Sequence, residues 1–336
     1  MKLPHISLEG KHLPVMLDEV LEVCNSKNDG LFMDCTFGSG GYSKEILKLN
    51  QSKIIALDRD KKVIGIAEEL KNKFPTRFSF YNKRFSNLDE VAKKKFDTVI
   101  FDLGISSTQL DDLSRGFSFK SKNELNMSMG LTDLSAKKVI NNFSEDDLKK
   151  IFKLFGEEKD ASKIAKNIIK KRSIKSINTT DELVTIIKNS KKKDYKKKID
   201  ESTKTFQAIR IFVNQEISEL IEGITKATKI LKPGGKLIVI SFHSIEDKIV
   251  KFYFKNFSQN QSRTNRYFPE NKIKNTFLFK NYKNKIITAS TQELKKNPRS
   301  RSAKLRFAIR SNEEFEDPKE LRKKFQHLTD LEKKIA

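Results

Sequence analysis

The stretch Leu31–Ser43, LFMDCTFGSGGYS, constrains the fold more than any other part of the chain. An apolar run, Leu31-Phe32-Met33, ends at Asp34 and enters a glycine-rich turn, Gly38-Ser39-Gly40-Gly41. An amphipathic segment follows, with Ile46, Leu47 and Leu49 as its apolar positions. Strand, tight turn and helix in that order form the unit with which open α/β sheets hold a nucleotide-like ligand. Glycine suits the turn because the backbone bends sharply there and comes close to the ligand. The spacing D-x-x-x-G-x-G-G matches neither the dinucleotide fingerprint nor the phosphate-cradling loop. A diphosphate prefers backbone N–H groups at a helix start, with no carboxylate close by. Asp34 is a natural neighbour for a cation, and S-adenosyl-L-methionine carries a sulfonium and an ammonium group but no phosphate. Asp58 closes the next apolar run, KIIALD, where a carboxylate can accept both ribose hydroxyls. Alone, the glycine turn fits a packing role equally well. With Asp34 and Asp58 in place it reads as a site for an adenosyl cofactor.

A chain of 336 residues can form one large domain or two small ones. It has no apolar run near the ~20 residues of a membrane span, and its first residues lack a secretory signal. Cys24 and Cys35 provide neither a disulfide framework nor zinc-site spacing. A cytoplasmic protein with no membrane partner is expected. The net charge of +24 points to a polyanionic partner, most simply nucleic acid. The competing reading is compositional drift, since 55 of the 68 basic residues are lysine and tryptophan is absent.

Periodicity predicts a first helix over 15–24, preceded by His12, which either reaches an active site or serves as a solvated cap. Strands are expected at 30–35, 53–58, 77–81 and 96–104, with helices between them, which implies a parallel sheet covered on both faces. After Gly104 the pattern changes to a polar loop and then to helical spacing at 135–143, 144–154, 160–171 and 180–189. Ser144 with Asp147, and Thr179 with Glu182, are the expected N-caps. A lysine run, Lys188–Lys198, closes this region and is read as a solvated loop. One long helix is predicted from Thr205 to the Lys232-Pro233-Gly234-Gly235 break, then a strand KLIVISFHS and another helix. Late strands are expected at 277–279, 285–289 and 304–310. The expected organisation is a methyl-donor-type sheet domain in two parts, 1–105 and 205–310, a helical insertion at 106–204 and a charged helical tail at 311–336.

With these residues assembled, the chain resembles the MraW family of 16S ribosomal RNA cytosine-N4 methyltransferases. The resemblance rests on HLPVMLDEV, DCTFGSGGYS, ALDRD, RFSNL, DLGISSTQLDDLSRGFSF, GEEKDASKIAKNI, TKTFQAIRIFVNQE, LKPGGKLIVISFHSIEDKIVK and NPRSRSAKLR, in family order from about residue 11 to 310. It implies an α/β fold of the class I methyltransferase, Rossmann-like kind, with a mostly parallel sheet and an inserted all-helical domain. It also implies methyl transfer from S-adenosyl-L-methionine to N4 of a decoding-site cytosine in small-subunit ribosomal RNA. The cofactor contacts it implies are Gly40, Gly41 and Tyr42 in the first turn, Asp58, Phe85, Asp102 and Gln109. Phe85 would stack on adenine, Asp58 would hold the ribose, and Asp102 would meet the adenine edge or the cationic end. The bland alternatives are a core phenylalanine and a helix-capping aspartate.

The chain departs from the family pattern at Cys35, at Tyr42 where a histidine is usual, and at Leu125–Gly130 (LNMSMG), where Ser128 and Gly130 replace an arginine and an aspartate. Lys204 replaces an arginine, keeping charge but losing bidentate geometry. The catalytic candidates are Asp102 and His243, at the ends of the fourth and fifth sheet strands; His243 alternatively caps the strand end. Methylation at cytosine C5, which would use a cysteine attacking C6, is disfavoured because neither cysteine follows a proline after the fourth strand and Cys35 lies in the cofactor turn. RNA contacts are expected from the helical insertion and from Arg210, Arg299, Arg301 and Arg306. Two rivals remain: a catalytically inactive RNA-binding ribosome assembly factor on the same fold, and a nicotinamide-dependent dehydrogenase.

Overall fold

The computed structural model describes residues 14–24, 29–49, 51–191, 200–259, 277–280 and 282–335. His12 and most of the lysine run therefore lie outside the described residues. The strands are β1 (Asp29–Asp34), β2 (Gln51–Leu57), β3 (Phe78–Tyr81), β4 (Phe96–Asp102), β5 (Leu231–Ser241), β6 (Ile287–Thr288) and β7 (Lys304–Ile309). Helices α1 (Leu17–Cys24), α2 (Gly41–Leu47) and α3 (Ile64–Lys73) alternate with the first strands. Then come α4 (Ser107–Asp111), α5 (Ala136–Asn142), α6 (Glu145–Gly156), α7 (Ala161–Arg172), α8 (Thr180–Ser190), α9 (Thr203–Asn214) and α10 (Glu216–Ile230). The last are α11 (Ser244–Asn256), α12 (Thr291–Lys296) and α13 (Lys319–Glu332).

The chain divides into two units, 1–104 with 222–321, and 105–221 with 322–336. In the first unit the seven strands lie in the order β3-β2-β1-β4-β5-β7-β6. Strands β1 to β5 pair in parallel and β7 runs antiparallel to β5 and β6. This is the mostly parallel α/β sheet that the resemblance implies. Parallel strands covered on both faces need apolar side chains on both, which is why residues 99–101 of β4 and 237–240 of β5 read as unbroken apolar runs. On one face Phe32, Ile54, Phe78, Ile100 and Ile238 bury against Val20, Ile46 and Ala67 of α1, α2 and α3. The strand order reverses between β1 and β4, and in open sheets ligands bind in the crevice at the carboxyl ends beside that switch point.

The second unit has its own core, in which α6 packs on α7 and α9 through Leu148, Ile151, Phe152, Ile164, Ile209 and Phe212. The expected caps are present: Ser144 accepts from the Asp147 N–H, and Thr179 and Glu182 form a capping box. The long helix expected from Thr205 is instead two. Gln215 adopts a left-handed conformation (φ 52°) and ends α9, and α10 begins at Glu216. The buried Asn214 side chain donates to the Met127 carbonyl and accepts from the Met129 N–H, so the break is tied to the LNMSMG loop. The division between the units falls at 221/222, rather than at the expected 204/205, because α9 supplies part of the second core. Residues 277–279 do not form a strand; Phe279 makes only isolated bridges to Ser258 and Arg310.

The charged tail carries a structural role. Glu332, fully buried on α13, accepts from the Ile217 N–H at 3.0 Å, the Ser218 N–H at 2.8 Å and the Ser218 hydroxyl. It thereby satisfies N–H groups that the first turn of α10 cannot pair within the helix. Glu332→Ala should lower the stability of the chain by about 1–2 kcal/mol through removal of the cap, measured by chemical denaturation. A stability equal to that of the unmodified chain would show the tail to be dispensable.

Candidate cofactor site

The site is built at the carboxyl edge of β1, β2 and β4, within the first unit. Asp34 ends β1 almost fully buried. Its carboxylate accepts from the Ser43 hydroxyl at 2.7 Å and from the Thr36 N–H at 3.2 Å, so it braces the glycine turn from beneath. The sequence suggested Asp34 as a direct neighbour of a bound cation; the structure spends its hydrogen bonds inside the turn instead. Burial raises its pKa to about 6, partly offset by those two bonds.

Gly40 sits at φ 74° as the N-cap of α2, a left-handed conformation that favours glycine. Gly41 lies under Pro14, where an added Cβ would come within 2.4 Å of the proline ring. Residues 14–16 thus cross the turn as a strap, and Met16 N–H donates to Glu293 at 3.2 Å. Tyr42 is buried, and its hydroxyl lies 2.5 Å from the Val15 carbonyl and 3.3 Å from Asp102 Oδ2.

Asp58 follows β2. Its Oδ2 accepts from the Gly38 N–H at 2.7 Å and its Oδ1 from the Asp60 N–H at 2.8 Å. Each carboxylate oxygen keeps a second lone pair for a ligand donor. Burial raises this carboxyl to about 6 as well. Phe85 opens the short turn after β3, stands edge-on to Phe101 with ring centroids 5.3 Å apart, and packs over Gly223. It is only partly buried, unlike a core phenylalanine.

Asp102 ends β4. Its backbone N–H donates to the Thr36 hydroxyl at 2.8 Å, while Oδ1 is buried with no hydrogen-bond partner. Burial raises its pKa to about 8, with Asp34 and Glu246 adding like-charge repulsion. An unpartnered buried acceptor is costly unless something else completes it.

His243 is placed as the N-cap of α11. Its Nδ1 accepts from the Glu246 N–H at 3.4 Å, and Glu246 Oε2 in turn accepts from the Phe242 and His243 N–H groups. An Nδ1 that accepts leaves the neutral ring's proton on Nε2, so His243 does not present a base there. Nε2 lies 3.1 Å from Glu246 Oε1, out of line for a hydrogen bond. Of the two roles the sequence left open, the structure displays the cap. Gln109 belongs to the second unit, where it is buried in a capping box with Ser106. The Cys35 thiol is buried and pushed well upward by desolvation, which removes it as a thiolate nucleophile.

Two arginines expected to touch RNA are already committed. Arg306 is 2% exposed, with Nε 2.7 Å from Asp247 and Nη1 2.9 Å from the Tyr282 hydroxyl. Arg210 makes a two-point ion pair with Glu216 at 2.8 and 2.9 Å. The alternating run KLRFAIR concealed the first, because strand periodicity says which side is buried but not that a buried arginine has a partner.

The sequence of residues 9–311 matches the model of the MraW methylase family. The chain belongs to that family. Among its relatives, the ribosomal RNA small subunit methyltransferase H of Ehrlichia ruminantium (strain Welgevonden) is 42% identical over 306 residues, covering 89% of this chain and 99% of the relative. The protein of that name from Orientia tsutsugamushi (strain Ikeda) is 42% identical over 312 residues, covering 90% and 99%. A solved putative methyltransferase from Streptococcus mutans, in complex with SAH, covers 89% of this chain and 99% of its own at 9% identity and a TM-score of 0.37, too distant to bear on function. No described helix is long and apolar enough to cross a membrane.

Arg306→Ala removes the buried partner of Asp247, leaving it only the half-exposed Lys304 at 3.3 Å, and should cost about 3 kcal/mol of stability, read as a lower denaturation midpoint. A folded, equally stable variant with weakened RNA binding would restore Arg306 as a nucleic-acid contact.

Proposed function

We propose that this chain is an S-adenosyl-L-methionine-dependent methyltransferase that modifies N4 of a decoding-site cytosine in small-subunit ribosomal RNA. The observation that carries the reading is the row of acids at one sheet edge, Asp34, Asp58 and Asp102, each with its pKa raised by burial. Such an edge favours a cationic ligand. The residues fit the donor: Asp58 has lone pairs for ribose hydroxyls, Phe85 offers a partly exposed ring for adenine, and Asp102 keeps an orphan oxygen for a cationic or N–H group. When bound, the donor supplies an electrophilic methyl group.

The chain's own task is then to make a poor nucleophile attack. The cytosine amine has its lone pair delocalised into the ring. An acceptor on the amine hydrogens favours pyramidalisation and takes the proton late. Asp102 is assigned that role, since His243 is engaged as a cap. The target base must leave its stack to reach the crevice, and holding amine and methyl at roughly 3–3.5 Å in line supplies much of the acceleration.

RNA docking is assigned to the exposed face of α7. That helix carries Lys163, Lys166, Lys170 and Lys171, all exposed, and no acidic residue. Among the described residues none of these four lysines is ion-paired. Reversing three of them (Lys163→Glu, Lys166→Glu, Lys170→Glu) should weaken RNA binding and shallow its salt dependence by about 0.7–0.9 log–log units for each phosphate no longer neutralised. Donor affinity should stay unchanged. An unaltered salt slope would place the RNA elsewhere.

The direct test is transfer of labelled methyl from S-adenosyl-L-methionine to small ribosomal subunits from cells lacking the protein, followed by mass spectrometry of the nucleosides. Label in N4-methylcytosine is expected, and Asp58→Asn should lower donor affinity about tenfold to a hundredfold through removal of one charged acceptor. Tight subunit binding with no transferred label would instead favour the inactive assembly factor, the reading to which the altered LNMSMG loop lends itself.

A further inference from the structure

Residues 14–16 lie on the glycine turn and are held there at three points. The Met16 side chain is fully buried in the core with Val20 and Ile46. The Val15 carbonyl accepts from the Tyr42 hydroxyl. The Met16 N–H donates to Glu293 Oε1 at 3.2 Å, across 277 residues of chain. Met16 itself sits at φ 53°, a left-handed conformation that a residue with a side chain keeps only when its surroundings impose it. Without Glu293 its part-buried N–H would lose its acceptor.

We propose that Glu293 is a positioning residue for the methyl donor: its Oε1 clasps residues 14–16 onto the glycine turn, and donor affinity depends on that clasp. The path from clasp to donor is short. Pro14 packs on Gly41 so closely that an added Cβ would come within 2.4 Å of the proline ring. Lifting the strap uncovers Gly41 and takes the Val15 carbonyl away from Tyr42, and both residues are among the expected donor contacts. This rests on the reading of the cleft as a methyl-donor site and adds the residue that keeps its glycine turn in shape.

Glu293 is itself fixed for this task. Its backbone N–H donates at 3.1 Å to the hydroxyl of Ser290, the N-cap of α12. Its Oε1 also accepts from the Ser300 hydroxyl at 2.7 Å and from the Asn297 side-chain amide at 3.3 Å. Asn297 and Ser300 belong to the run NPRSRS, which the cleft and the basic surface leave without a role. In that run Arg299 and Arg301 are exposed while Ser300 is fully buried, so its small polar side chains turn inward onto the carboxylate. Three donors therefore meet on one oxygen. What the clasp requires is an acceptor at that reach, and an amide oxygen can serve as well as a carboxylate.

The test is calorimetric titration of the intact protein with S-adenosyl-L-methionine, together with steady-state methyl transfer to small ribosomal subunits. Glu293→Gln keeps an oxygen at the same reach and should bind the donor within about twofold of the unmodified protein. Glu293→Asp keeps the charge but is one methylene short. It should weaken donor binding about tenfold, as loss of a hydrogen bond to a charged acceptor does. The loss should appear as a higher KM for the donor, with kcat and the KM for subunits unchanged. A smaller folded fraction would instead lower kcat and leave the donor KM where it was. Donor affinity unchanged in the Asp variant, or lost in the Gln variant, overturns the clasp while leaving the cleft assignment standing. Absence of donor binding by the unmodified protein overturns both.

Discussion

Burial of three carboxyl groups at one edge of a parallel sheet is the constraint on which this architecture turns. Removing a carboxylate from water is expensive unless hydrogen bonds or an opposite charge compensate. Asp34 and Asp58 are compensated by the turn itself, through Ser43 and Thr36 for the first and through Gly38 and Asp60 for the second. Those bonds also hold the glycine turn in its shape, so the acids and the loop stabilise one another. Asp102 receives less, and one of its oxygens has no partner at all. The remaining deficit is electrostatic, and a cationic ligand is the natural means of filling it.

The second unit solves a different problem. Its helices bury a separate apolar core and present lysines outward, as on α7. It is finished by the C-terminal helix, whose buried Glu332 caps α10. The lysines stay on the surface because nothing in that core could satisfy them. Arg306 and Arg210, by contrast, lie where carboxylates meet them, and so contribute to the fold rather than to a basic surface.

Much of this was legible in the sequence because the signals were local. The strand–turn–helix unit, the acids ending β1 and β4 and just following β2, and the caps at Ser144 and Thr179 all appear at the positions their spacing implies. The break at Gln215 was not legible, since apolar periodicity runs through it and only the tertiary bonds of Asn214 mark the interruption. The pairing of Arg306 with Asp247 spans residues far apart in the chain, and neither residue announces the other. His243 carried two readings that composition alone could not separate, and Glu246, three residues on, decides between them by closing the capping box. The strap over Gly41 was likewise hidden, because it depends on Pro14 and Tyr42 meeting across the turn.

That this acidic edge holds a positively charged methyl donor is tested most directly by a crystal structure of the protein soaked with S-adenosyl-L-methionine. The ribose hydroxyls are predicted to lie on Asp58, the adenine against Phe85 and the cationic end of the donor beside Asp102. Electron density for the donor away from these three residues, or an edge left empty at saturating concentration, would contradict it.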